Sequence, residues 1–501
     1  MKITNSTIKK LLDHYKEISL LYKIKATLDW DMNVNLPSKA ATERAKQTEY
    51  LAQKITDLWI DNEFKQTLEK AQKEKNLTLE EQAILRNLIQ GTKYYFRVPP
   101  EIIAEKEKLT SEAFMIWKEA KEKNDFKSFL PSLKELIRID QIIAKHIGYK
   151  DNPYDALLDQ YEPGLTADHV QKLFDKIKPQ LVALVQRIQK KQPSQEIIQE
   201  LLQQIYPIQQ QKKIGEIAIK KMGFDFEAGR VDVSPHPFTT ELNRNDIRFT
   251  TAFIEKDFRS SYTAYMHEAG HALYEQGINP EYDGTPLEGG VSLGIHEALS
   301  RFWENMIGKN PNFLKHMKPF FQENYLQQIQ ALNEDEFINL FYVVKPSFIR
   351  IESDEVTYTL HIILRFEMEN GLINGTIKPE DAATVWKEKS KEYFGIVPPT
   401  DTQGVLQDVH WAYGSFGYFP SYALGNLYGA QFLATMKKEF DVEKELTEGS
   451  LAKIHAFLKD EIHEYGSLYL PAELIKKVTG EPLNPHYFLD YLTEKYTKLY
   501  S

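Results

Sequence analysis

Apolar residues recur three and four positions apart beside a polar face in segments 6–27, 38–74, 79–92, 99–123, 126–147, 166–191, 195–221 and, later, 430–440. Such a stripe can be buried as one surface only if the segment is an α-helix, because a strand would scatter it over both faces. Few alternating runs compete. The best strand candidates are residues 231–234, 246–251 and 289–292. The pattern predicts an all-α, predominantly helical chain with one small β-sheet.

The strand candidates flank the segment Met266-His267-Glu268-Ala269-Gly270-His271. Residues four apart lie on one helix face, so His267 and His271 can point at one metal ion. Glu268 stands beside that face, where it can act as a base on water, an arrangement suited to metal-assisted hydrolysis. With 13 His and 72 Asp and Glu in the chain, chance produces only about 0.05 such matches. Asp257 is placed to cap a helix starting near Phe258, Gly277 to end it, and Tyr265, Met266, Ala269, Ala272 and Leu273 to bury it.

A catalytic zinc site needs a third protein ligand and one open position. Six residues beyond His271 stands Gly277, and the wider spacing of other zinc hydrolases ends near Val291; neither can ligate. Residues 294–305 read as an amphipathic helix whose Glu297 follows His271 by 26 residues, an interval that fits a turn around 280–290 and a returning helix. Glu297 is the expected third ligand, and Glu288 in the intervening Gly/Pro-rich loop is the alternative. His296 is expected to support the site rather than to be a fourth ligand. Zinc suits this donor set, and cobalt or manganese could substitute.

Composition narrows the partners. A net charge of −10 and a pI near 5.8 argue against nucleic acid, whose binding needs a basic face. The Lys-rich stretches 105–108 and 118–123 alternate with Glu and read as solvated helix faces. With no cysteine, disulfides, thiolate metal sites and Cys nucleophiles are excluded. Residues 1–7 lead into a polar amphipathic helix without an apolar signal core, and no run of about 18 apolar residues exists, so a cytoplasmic chain without membrane contact is expected. No linker of Pro, Gly and Ser divides the sequence. One unit over 1–501 is expected, with two lobes around a deep groove and the site motifs within 230–425.

Several further motifs occur in order along the chain: His236-Pro237-Phe238, Asp246-Ile247-Arg248-Phe249-Thr250, Ile349-Arg350-Ile351-Glu352-Ser353-Asp354 and Gly404-Val405-Leu406-Gln407-Asp408-Val409-His410-Trp411. Weaker echoes are Leu28-Asp29-Trp30-Asp31, residues 154–159 and Tyr161-Glu162-Pro163-Gly164. With the His-Glu-x-x-His segment, these resemble the HPF, DxRxT, IRxxAD and GxxQDxHW motifs of the carboxypeptidase Taq metallocarboxypeptidases. Ser353 stands where the family has Ala, and His296-Glu297-Ala298 departs from its HES segment. The resemblance implies a grooved helical body similar in outline to angiotensin-converting enzyme and neurolysin, a homodimer, and removal of single residues from peptides with a free C-terminus. An endopeptidase or dipeptidyl carboxypeptidase is the rival within the same chemistry, and a catalytically silent helical scaffold the rival outside it. An intact Glu268 argues against the scaffold.

An exopeptidase of this kind needs a cation for the terminal carboxylate, and the planar fork of Arg binds it through two parallel hydrogen bonds. Arg350 is the expected residue; in a purely structural role it would pair with Asp354 or Glu352. Arg248 is second, unless Asp246 takes it. The resemblance to the helical peptidases gives His410, with Tyr418 or Tyr422, the role of donating to the oxyanion. His236 is expected to line the groove near the metal, with Gln407 and Asp408 behind the substrate-facing residues.

Overall fold

The computed structural model describes residues 1–190 and 196–499. The predicted helix ends at residues 191 and 195 lie outside them. Helix makes up 69% of the structure, about twice the share of an ordinary soluble domain. Segments with a clear polar face fold as their spacing predicts: Leu79–Arg97, Pro100–Lys123, Phe126–Ile147 and Ala167–Gln189 are each one helix. Others are broken or extended. Segment 38–74 divides into Ala41–Trp59 and Asn62–Ala71, where Asp61 caps the second helix, and segment 195–221 is interrupted before Pro207. The first helix continues past residue 27 to Val34 and so carries the Leu28–Asp31 motif.

Two long helices in the C-terminal half, Glu355–Asn374 and Pro420–Glu439, are buried on nearly every side. They lack the polar face that makes a period legible, and the spacing predicts helix only over residues 430–440 of the second. The Pro420–Glu439 helix forms the most extensive helix pair of the fold, with Leu293–Arg301.

The sheet has three strands, β1 (Gly229–Val233), β2 (Thr239–Asn243) and β3 (Asp246–Thr251), in the order β1-β3-β2. β3 runs parallel to β1 and antiparallel to β2. The expected strand at 289–292 is not one. Gly289 has φ +93°, and Ser292 caps the Leu293–Arg301 helix, its side chain accepting from the Ile295 N–H. Two glycines and a capping Ser belong to a turn that enters a helix, and that chemistry outweighs the short apolar alternation. β2, which sequence did not single out, completes the sheet beside the Phe258–Gly277 helix.

Candidate metal centre and active site

The Phe258–Gly277 helix begins after Asp257, whose side chain accepts from the Arg259 N–H, and one turn separates His267 from His271. His267 Nε2 lies 3.6 Å from Glu297 Oε2, and His271 Nε2 lies 3.7 Å from the same oxygen. One donor atom from each of the three residues falls within 4.8 Å of the others. Donors about 2.0–2.1 Å from a tetrahedral zinc stand about 3.4 Å apart, so two nitrogens and a carboxylate oxygen so placed fit a divalent ion.

The other ring nitrogens are engaged. His267 Nδ1 lies 2.9 Å from Glu304 Oε2. His271 Nδ1 lies 2.6 Å from His296 Nδ1, and His296 Nε2 lies 2.7 Å from Glu275 Oε1. Partners on Nδ1 fix each ring and leave Nε2 facing the centre. Burial, then His296, His267 and Arg301, holds His271 well below its ordinary pKa, which keeps it neutral, as a ligand must be. Glu288 is elsewhere: it pairs with Lys23 Nζ at 2.6 Å and accepts the Gly284 N–H at 2.7 Å.

Close backbone approach sets Glu297. A Cβ on Gly425 would stand 2.8 Å from Glu297 Cγ, and one on Gly270 would stand 2.7 Å from Ser300 Cα. Only glycine lets both neighbouring helices come so near. Arg301 Nε donates to Glu297 Oε1 at 2.8 Å and Ser300 Oγ to Oε2 at 3.1 Å. Glu162, from the weak Tyr161–Gly164 motif, holds the start of this helix by accepting from the Gly294 N–H and Ser292 Oγ at 3.0 Å and from Tyr428 Oη at 3.2 Å.

Glu268 is buried, and burial raises its pKa above the usual carboxylate value, which makes it a stronger base. Thr239 Oγ1 lies 2.7 Å from Glu268 Oε2. Thr239 was invisible to sequence reasoning, since only the pairing of β2 with β3 brings it across 29 residues to Glu268. His236, three residues earlier, is exposed, and its carbonyl accepts from Ser234 Oγ at 2.6 Å. Phe238 packs on Trp30 at 5.5 Å between centroids, so the first helix meets the motif here.

A second cluster gathers around Asp408. Arg350 Nη2 and Nε reach Asp408 Oδ1 at 2.9 and 3.2 Å, and Arg365 Nε reaches Oδ2 at 2.7 Å. Asp354 and Glu352 are therefore not the partners of Arg350; Asp354 instead caps the Glu355–Asn374 helix by accepting from the Val356 and Thr357 N–H groups. Burial would raise Asp408, but Arg365 and Arg350 hold it well below the carboxylate range. One carboxylate between two guanidiniums leaves one positive charge over. Arg365 is wholly buried and Arg350 nearly so, and Arg350 Nη1 also donates to Tyr358 Oη at 3.1 Å. Gln407 Oε1 accepts from the Arg350 N–H at 2.9 Å and from Arg365 Nη2 at 2.6 Å. Arg248 forms two 2.7 Å hydrogen bonds to Asp246, which occupy its fork.

Burial pushes His410 down to about 4, helped by Arg350 and Arg365 against Asp408, so it is a neutral N–H donor at pH 7. Its ring lies 5.4 Å from Tyr418 and 6.3 Å from Tyr422. The Tyr422 ring is also 5.1 Å from the Arg350 guanidinium carbon. Burial raises both phenols, which keeps them protonated.

Known proteins are similar in sequence and architecture. The profile of carboxypeptidase Taq (M32) metallopeptidases matches residues 10–496. Thermostable carboxypeptidase 1 of Pyrococcus furiosus is 38% identical over 98% of this chain and 99% of that protein. Carboxypeptidase 1 of Bacillus subtilis is 36% identical over 98% of each. The solved structure of the Pyrococcus furiosus carboxypeptidase matches with a TM-score of 0.95, covering 99% of both chains. The M32 carboxypeptidase of Deinococcus radiodurans R1 matches with a TM-score of 0.95 at 32% identity, over 99% of this chain and 100% of that one. A His/His/Glu donor set on a helical scaffold, matched over nearly the full length by proteins named for one activity, identifies this chain as a member of the carboxypeptidase Taq (M32) family and a metallocarboxypeptidase acting on peptides.

Proposed function

We propose that the native ion is zinc, held by His267, His271 and Glu297, and that Glu268 is the general base. The observation that carries this is the convergence of both Nε2 atoms on one carboxylate oxygen while both Nδ1 atoms are engaged behind them. Held by these three residues, zinc would supply Lewis-acid chemistry toward water and the scissile carbonyl. Glu268, oriented by Thr239, accepts the proton of the attacking water and returns it to the leaving amine. His410 N–H, with Tyr418 or Tyr422 O–H, donates to the oxygen on which negative charge develops. Arg350 fixes the terminal carboxylate and so selects the last peptide bond. His236 borders the substrate path, and the cytoplasm and a homodimer complete the reading.

Metal removal tests the reading. Chelated protein should lose peptide hydrolysis, stoichiometric zinc should restore it, and Glu268→Gln should bind zinc without turning over. Undiminished hydrolysis by metal-free protein, or full turnover by Glu268→Gln, would overturn it.

A further inference from the structure

The Leu293–Arg301 helix does not simply end. It continues as a π-helix, Phe302–Gly308, and such wide turns cost main-chain geometry and are found often at functional sites. Here the wide turn changes which carbonyls are served. The Lys309 N–H donates to the Glu304 carbonyl at 3.1 Å, and the Asn310 N–H to the Ile307 carbonyl at 2.9 Å. Neither of the donors four and five residues beyond Asn305 therefore reaches the Asn305 carbonyl. Asn305 is buried, and a buried carbonyl without a partner is costly.

The C-terminal helix, His486–Leu499, supplies the partner. Lys495 Nζ reaches the Asn305 carbonyl at 2.8 Å, Glu355 Oε2 at 2.8 Å and Tyr491 Oη at 2.6 Å. These are three acceptors for the three N–H bonds of an ammonium. Tyr491 Oη lies 2.6 Å from Glu355 Oε1 and 3.1 Å from the same carbonyl. The side chains of Lys495 and Glu355 are 6% and 4% exposed, so solvent does little to screen the pair.

Glu304, the residue before Asn305, touches the metal site. Glu304 places Oε2 against His267 Nδ1, and Lys309 spans Glu304 Oε1 at 3.2 Å and Asn305 Oδ1 at 2.9 Å. Glu355 opens the helix that follows the Arg350 segment. One buried ammonium thus ties the π-turn behind a metal ligand to the element behind the carboxylate-binding arginine.

We propose that Lys495, assisted by Tyr491, is a positioning residue of the catalytic centre: by holding the Asn305 carbonyl it sets the π-turn so that Glu304 orients His267. The proposal rests on the reading of His267 as a metal ligand. It assigns the last helix a part in metal binding although that helix contributes no ligand. Loss of a partner behind a ligand typically weakens metal binding by 10–100-fold; Lys495 stands one contact further back, and its loss should lie near the lower end.

The test measures zinc affinity of the full-length protein by competition with a chromogenic chelator, together with the absorption spectrum of the cobalt-loaded protein. Lys495→Met should weaken zinc binding about tenfold and shift the cobalt bands, while Lys495→Arg should recover part of the loss. Tyr491→Phe, which removes only an oxygen, should weaken binding by a smaller factor and serves if Lys495→Met does not fold. In a Glu304→Gln background Lys495→Met should add little further loss, because the two act through one ring. Lys178→Met, which breaks the pair of Lys178 with Glu367, should lower thermal stability without changing zinc affinity. Unchanged affinity and spectrum in Lys495→Met and Tyr491→Phe, or equal losses with and without Glu304, would overturn the proposal. If instead His267→Ala kept wild-type affinity, the ligand assignment itself would fail.

Discussion

Thr239 is hydrogen-bonded to Glu268, and in the proposed mechanism the two residues act on turnover rather than on binding. Thr239→Val keeps the volume but removes the hydroxyl that lies 2.7 Å from Glu268 Oε2. It should lower kcat by about tenfold with KM little changed, as for a lost hydrogen bond to a charged group of about 1.5 kcal/mol; steady-state kinetics on one peptide decide it, and a change confined to KM would contradict the role. Arg350 is tested through its substrate. Amidating the C-terminus should remove most cleavage, and Arg350→Ala should cost about 3 kcal/mol, or roughly a hundredfold in kcat/KM, on free-acid peptides. On amidated peptides the same substitution should cost little more, since a missing partner cannot be removed twice. Equal proportional losses on both substrates would make Arg350 structural. Spacing in the sequence reached His267, His271 and Glu268 because all three sit within one helical turn. It could not reach the Asp408–Arg365 pair behind Arg350, which joins residues 43 positions apart.

At the scale of elements, the metal centre depends on how closely three helices approach. Gly425→Ala puts a methyl 2.8 Å from Glu297 Cγ and 3.0 Å from its backbone carbon, so the ligand or its helix must move. Metal titration should show at least a tenfold loss of zinc affinity, the scale expected when a ligand is displaced, with helical circular dichroism retained. In the same titration Glu297→Ala should abolish tight binding and Glu288→Ala should leave it near wild type; the reverse order would move the site to the loop. The bounds of the Phe258–Gly277 helix were legible from its Asp cap and its terminal glycine. The strand expected at 289–292 was not there because Gly289, Gly290 and Ser292 make a turn and a cap. β2 was hidden for the opposite reason: Thr-Thr-Glu-Leu-Asn carries little apolar alternation, and only its pairing with β3 makes it a strand. The π-turn at 302–308 has no sequence signature that separates it from the helix it continues.

Across the whole molecule, motifs separated by hundreds of residues meet through buried polar groups, and these couple stability to pH. Burial holds His361, His410 and His463 below the ordinary histidine value. The unfolded chain takes up protons at these positions as pH falls through about 6.5, whereas the folded chain does not until far lower, His410 near 4. The unfolded state then binds more protons, so stability falls as pH drops from about 6.5 toward 4, by up to about 1.4 kcal/mol per pH unit for each such group. His463 packs against Tyr274 of the metal helix at 5.3 Å, and neither of its ring nitrogens has a hydrogen-bond partner among the described residues. His463→Phe should therefore gain stability relative to wild type at pH 5 more than at pH 8, read from urea midpoints; a constant difference would contradict the sign.

The most direct measurement is the mass of the products released from a free-acid peptide of defined sequence by the zinc-loaded protein, followed over time beside its C-terminally amidated twin. A metal site that works one residue in from an anchored carboxylate should give a ladder of single-residue losses from the C-terminus, absent in Glu268→Gln and strongly suppressed for the amide. Internal fragments, release of dipeptides, or an equal ladder from the amide would contradict it.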